Sequence, residues 1–244
     1  MKNRSINQEV NDRISSMEPG KVFNYSYFDI YKNNPSAVAK ALSRLAKANR
    51  IQRVEKGVYF IPIKSKFGSL RPSEEELIKS LTSEEKDNPV YETGLGAYNK
   101  LGLTSQVPNS ITLASTKQRP SKKVKGIKIN YTKKNFDISK FDYYLLQLLD
   151  AIKDSKNIPD STTDESLRII QARIKELTKP KLRELKKASL NYPPYVRAIL
   201  GAIIETIYSE KESSIIKKTL NPLTRYSIPI NKLTLPNKEK WGIL

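Results

Sequence analysis

Asn34-Pro35-Ser36-Ala37-Val38-Ala39-Lys40-Ala41-Leu42-Ser43-Arg44-Leu45-Ala46-Lys47 begins as helices begin and is made of helix-forming residues. Asn34 is placed to cap free amides, and Pro35 at the first helical position sacrifices no hydrogen bond. Ala, Leu, Lys and Arg then propagate the helix at little conformational cost. At about 100° per residue, Val38, Ala41, Leu42 and Leu45 fall on one arc. The opposite arc carries Ser36, Lys40, Ser43, Arg44 and Lys47, with no acid among them. A face that is merely solvated normally mixes Glu with Lys. Small hydroxyl residues flanked by cations suit a helix that sits in a DNA groove, where short side chains allow close approach and long ones reach phosphate or base edges.

The flanking sequence fits the same reading. Upstream, Ile6, Val10, Ile14 and Met17 recur at four, four and three residues, one face of a helix that Pro19-Gly20 ends. Lys21-Val22-Phe23 is a short extended piece, and Tyr25 to Ile30 has room for a brief second helix. Downstream, Arg50-Ile51-Gln52-Arg53-Val54 alternates like a half-buried strand, Glu55-Lys56-Gly57 turns, and Val58-Tyr59-Phe60-Ile61 returns before Pro62. Three helices and a hairpin within about sixty residues follow the winged helix-turn-helix order. Residues 1–63 are therefore expected to form a DNA-binding domain, with Arg53 and Lys56 on the wing touching the sugar-phosphate backbone.

Beyond a polar linker from Lys64 to Pro72, Ser73-Glu74-Glu75-Glu76 opens a helix running to about Leu81, its acids favoured by the helix dipole. Pro89 to Thr93 reads as a strand. Gly94-Leu95-Gly96 follows it, but the third glycine of a dinucleotide fingerprint is replaced by Asn99, so a tight strand-to-helix packing turn is expected. Ser110 to Ser115 and Gly126 to Tyr131 alternate as strands do. Between Lys117 and Lys134 lie Lys117, Arg119, Lys122, Lys123, Lys125, Lys128, Lys133 and Lys134, without an acid. That stretch reads either as a solvated hairpin tip or as a second phosphate-contacting surface. Residues 73–140 thus form a small mixed α/β domain.

From Phe141 the period is helical. Leu145, Leu148, Leu149 and Ile152 make one stripe, and Leu167, Ile170, Ile174 and Leu177 a second that ends near Pro180. Leu182 and Leu185 begin a third helix, and Tyr195 to Tyr208 form a fourth. Residues 141–244 are a helical region whose proline-bearing tail is extended, with Trp241 as its anchor. The fold class is α+β.

Composition bounds the chemistry. The 244 residues include 44 basic and 25 acidic side chains, a net charge of +19, and neither Cys nor His. The charge is spread: 11 basic and 5 acidic residues in 1–63, 15 and 8 in 64–140, and 18 and 12 in 141–244. Such a balance favours a polyanionic partner. Without Cys or His there is no disulfide, no Cys/His zinc site, and no cysteine nucleophile or histidine base. No cofactor or metal site is expected. No apolar run reaches the ~20 residues of a membrane span, and no signal peptide is recognisable, so a cytoplasmic protein is expected.

The ordered strings Asn34 to Leu45, Lys56-Gly57-Val58-Tyr59, Thr93 to Thr104, Gln106-Val107-Pro108-Asn109, Leu146 to Asp154 and Asn221-Pro222-Leu223-Thr224 carry a resemblance. The chain resembles the AbiEi-type antitoxins of bacterial type IV toxin–antitoxin (abortive infection) systems, in a longer branch with a helical C-terminus. The resemblance implies a winged helix that represses its own operon and a C-terminal region that counters a neighbour-encoded nucleotidyltransferase toxin. It implies no catalytic residue. The partners expected are duplex DNA of the chain's own promoter and that toxin, with no membrane, the protein being a monomer or weak dimer. DNA contacts are expected from Ser36, Lys40, Ser43, Arg44, Lys47, Arg53, Lys56, Lys117, Arg119, Lys122 and Lys123. Two other classes remain: a metal-dependent nuclease and a protein-interaction module that binds no DNA.

Overall fold

A computed structural model describes residues 5–66, 68–83, 89–124 and 126–244. Phe67 of the linker and Lys125 of the basic run lie outside the described residues. The fold is mixed α+β, and it divides into two compact units. One comprises residues 1–90 and 120–130, the other residues 91–119 and 131–244.

The first unit opens with α1 (Ile6–Ser15), which starts on a reciprocal cap. Ser5 Oγ accepts from the Gln8 amide at 3.3 Å, while Gln8 Oε1 accepts from the Ser5 amide at 3.1 Å. Val10 and Ile14 point inward. After Gly20, at φ +90°, comes β1 (Val22–Asn24). The brief second helix is instead two 3₁₀ turns, Tyr25–Tyr27 and Asp29–Lys32. Phe28 between them is extended at φ −107°, ψ 112°, and its buried ring meets Phe23 edge-on at 6.0 Å. Swinging that ring inward interrupts the i→i−4 ladder, which leaves the shorter bonds Phe28 N to Tyr25 O and Tyr31 N to Phe28 O.

Then comes α2 (Pro35–Lys47), with Pro35 in its first turn. The Asn34 side chain makes no capping bond, contrary to expectation. Its backbone N–H donates to Ile30 O at 3.0 Å, which ties the helix start to the preceding turn instead. The hairpin of β2 (Gln52–Glu55) and β3 (Val58–Phe60) follows, and the sheet has the order β1-β3-β2, antiparallel throughout. A bulge between Arg53 and Glu55 bends the hairpin. Gly57 turns it at φ +85°, where a Cβ would stand 3.0 Å from the Tyr25 ring. The core beneath joins Val10, Phe23, Val38, Leu42, Ile51 and Tyr59. Helix, strand, 3₁₀ turns, helix and hairpin together make a winged helix-turn-helix frame.

Where a linker was expected, β4 (Ile63–Ser65) and β5 (Gly68–Leu70) form a two-stranded ladder, with Ile63 opposite Leu70. Gly68 is at φ +107°, a conformation open to glycine and one that a composition-based reading of polarity does not reveal. In α3 (Glu74–Ser83) the acids do more than face a dipole. Glu76 Oε2 accepts from the Val22 amide at 3.2 Å and pairs with Lys21 at 3.6 Å. Strand β1 is the edge of its sheet, so this carboxylate satisfies an otherwise unpaired edge amide.

The remaining strands are β6 (Val90–Thr93), β7 (Ser110–Ser115), β8 (Lys122–Val124) and β9 (Ile127–Lys133), in the sheet order β6-β7-β9-β8. Between β6 and β7 lies α4 (Leu95–Lys100). Its entry is the packing turn that the glycines suggested. Gly94 sits at φ +71°, and a Cβ on Gly96 would meet the Glu92 carboxylate.

The second unit is built on α5 (Tyr143–Asp154), α6 (Thr163–Lys175), α7 (Lys179–Ser189), α8 (Pro194–Ile207) and α9 (Glu210–Lys217). The expected stripes are inside: Leu145, Leu148, Leu149 and Ile152 of α5, then Leu167, Ile170 and Ile174 of α6. Pro180 does not end α6, which stops at Lys175; it lies in the first turn of α7, where its missing amide costs nothing. Helix α9 was not foreseen, because Tyr208 and Ser209 interrupt a stretch with no apolar break. Ser209 Oγ caps it at the Glu212 amide, at 3.4 Å. Among the described residues no helix is long and apolar enough to cross a membrane.

The tail is partly ordered by hydrogen bonds. Tyr226 bridges to Ile243, and a 3₁₀ turn spans Lys238–Trp241. Trp241 is buried, and its Nε1 donates to Glu205 Oε2 at 3.0 Å. Its ring lies on Gly201 of α8, where an added Cβ would overlap it. Gly201→Ala should therefore destabilise the second unit by about 1–3 kcal/mol and eject the indole. Trp241 is the one tryptophan of the chain, so its emission should shift to longer wavelength. An unchanged spectrum would show that the contact gives way without loss.

Candidate nucleic-acid interface

The two arcs of α2 separate as its period requires. Val38, Ala41, Leu42 and Leu45 are buried, whereas Ser36, Lys40, Ser43, Arg44 and Lys47 are all exposed. Among the described residues, none of Lys40, Arg44 and Lys47 forms an ion pair. A 13-residue helix is about 20 Å long and presents its cations at successive turns along one side. The B-DNA major groove, about 12 Å wide, admits such a helix.

On the wing, Arg53 and Lys56 are exposed. Arg53 Nε donates to the backbone carbonyl of Glu55 at 3.2 Å, which lays the guanidinium along the hairpin. Lys56 stands in the turn itself. Glu55 is the acid of this surface, and Lys122 covers it: Lys122 Nζ lies 2.8 Å from both carboxylate oxygens. Lys122 is thus neutralised by an acid 67 residues away in the chain. Lys123 is exposed on β8 directly opposite Lys128 on β9. Like charges facing each other across a ladder repel, and a polyanion would relieve that repulsion. Lys128 is a position that the reading of candidate contacts omitted.

Lys117 and Arg119 belong to the second unit. Lys117 is exposed; Arg119 is half-buried, its guanidinium 5.4 Å from the centre of the Tyr131 ring. A cation stacked in this way keeps its charge but loses freedom.

The second unit also holds a polar cluster that sequence reasoning missed. Asp150, 2% exposed, accepts from Tyr91 Oη at 2.8 Å and Thr93 Oγ1 at 2.7 Å on one oxygen. On the other it accepts from Tyr192 Oη at 2.8 Å and from Lys134 Nζ. A carboxylate has about four acceptor sites, so it is saturated. Lys134 lies under the Tyr192 ring at 5.0 Å. Burial and the charge of Asp150 push the Tyr192 and Tyr91 hydroxyls far above the usual phenol range, so both stay protonated donors. The arrangement is a clamp joining β6, the end of β9 and α5. Its sequence signal was an acid within the apolar run Leu145 to Ile152, a helix buried on more than one face, where an unpartnered charge would not be tolerated.

Over residues 9–184 the sequence matches a family described as "Family of unknown function (DUF6088)". Comparison with curated proteins returned no match. Among solved structures, the crystal structure of the RV2827C protein from Mycobacterium tuberculosis aligns with a TM-score of 0.50 at 11% identity. The alignment covers 89% of this chain and 83% of that one. At that identity the likeness is one of fold.

Proposed function

The chain belongs to the DUF6088 family, and because that family has no assigned function we propose from the site itself that the protein binds duplex DNA and represses its own promoter. The observation that carries this reading is the exposed, acid-free face of α2 on a winged-helix frame. Ser36 and Ser43 leave room for the helix backbone to approach the major groove. Lys40, Arg44 and Lys47 reach phosphates or base edges from it, and Arg53 and Lys56 hold the backbone from the wing. Lys123 adds a phosphate contact, and Lys122 serves by masking Glu55.

The resemblance to AbiEi-type antitoxins extends the proposal. The protein is then the antitoxin of a type IV toxin–antitoxin system that counters a neighbour-encoded nucleotidyltransferase toxin. It works in the cytoplasm and performs no catalytic step of its own.

The test is binding of purified full-length protein to a duplex spanning the region upstream of its own gene, titrated across salt. Five to six phosphate contacts should give a log–log slope of about −5. Binding should also be retained against excess unrelated duplex. Equal affinity for both duplexes would remove the repressor role. No binding to either at ~50 mM salt would remove the DNA role altogether.

A further inference from the structure

Helices α7 and α9 leave between them a groove of about 670 Å³. Its floor is apolar. Leu182 is buried there, while Leu190, Tyr208 and Ile215 stand 45%, 39% and 56% exposed along it. Single exposed apolar residues are ordinary; here three of them line one concave groove. The rim is cationic. Lys179, Arg183 and Lys187 of α7 and Lys211 of α9 are exposed, and none forms an ion pair among the described residues. The acid lining the groove is Glu212, already engaged by Lys186 at 2.6 Å.

An apolar floor with an unbalanced positive rim selects its occupant. Nucleic acid gains little from it: the floor is mostly aliphatic, and Tyr208, the aromatic residue, has its hydroxyl donated to Ile174 O at 3.0 Å. A flat anionic membrane does not enter a concave groove. We propose that this groove docks an amphipathic helical segment of a partner protein, with its apolar stripe on Leu182, Leu190 and Ile215 and acidic side chains on both flanks. The 11 residues of α7 span about 16 Å, which matches two to three helical turns with anchors at i, i+4 and i+7. The site lies wholly in the second unit and does not rest on the DNA reading.

The probe is a fluorescein-labelled peptide of about 14 residues, with leucines at i, i+4, i+7 and i+11 and glutamates on the flanks. It is titrated with full-length protein by anisotropy. A scrambled acidic peptide and a peptide with lysine for every glutamate should bind at least about tenfold more weakly. Arg183→Glu with Lys187→Glu, and separately Leu190→Ser with Ile215→Ser, should each weaken binding about tenfold or more. Both variants change exposed side chains, so their melting temperatures should match wild type, and promoter binding should be unaffected. The proposal is overturned if the patterned peptide does not bind, if the scrambled peptide binds equally, or if either folded variant binds as wild type does. Capture of the protein by phosphatidylglycerol vesicles through the same residues, without peptide binding, would overturn it in favour of a lipid surface.

Discussion

Lys40→Glu with Arg44→Glu should abolish promoter binding at ~150 mM salt, a loss of at least about 100-fold, while leaving the fold intact. Both side chains are exposed on α2, and neither contributes to the core formed by Val38, Ala41, Leu42 and Leu45. Each reversal removes one cation and adds one anion on a face that carries no acid. Two phosphate contacts are lost, and repulsion takes their place. Residual binding should show a salt slope flatter by about two. The stability cost is small: a Glu at position 44 sits in the last turn of α2, where the helix dipole disfavours it by about 0.3–1 kcal/mol. Gel-shift titration with thermal melting of the same preparations checks both halves. If the double variant binds the promoter as wild type does, α2 is not the reading helix.

Asp150→Ala should destabilise the second unit by about 3–5 kcal/mol. The substitution removes the carboxylate that, among the described residues, pairs with Lys134, whose side chain is 10% exposed, and it leaves three hydroxyl donors facing a void. A buried ammonium without a counter-charge is what makes breaking such a pair costly. Lys134→Met should cost distinctly less, because Asp150 would keep the hydroxyls of Tyr91, Thr93 and Tyr192. Denaturant unfolding followed by Trp241 emission reports on this unit, to which Trp241 belongs. The expected order is wild type, then Lys134→Met, then Asp150→Ala. If the two variants lose equal stability, the hydroxyls contribute nothing to holding the charge.

Much of the fold was legible because helix and strand periods are local. Four apolar residues spaced three and four apart already define the inner side of α2, and the outer side follows by subtraction. The wing was legible from Lys56-Gly57, since few residues other than glycine turn a hairpin at positive φ. The stripes of α5 and α6 were legible for the same reason as α2. The 3₁₀ turns were not, because the ring of Phe28 seeks the core at the expense of helical geometry. Nor was the β4–β5 ladder, in which a single apolar pair, Ile63 with Leu70, is followed by polar pairs and leaves too short a run to show a strand period.

For the candidate interface the division is similar. The chain order alone determined which side of α2 faces solvent and that this side lacks acids. Tertiary structure decided which cations are committed elsewhere, as Lys122 is to Glu55, and it brought Tyr91 to Asp150 across 59 residues. It also placed residues 120–130 with the first unit. Periodicity is written into neighbouring residues, whereas an ion pair or a strand partner depends on where two distant segments meet, and only the folded chain specifies that.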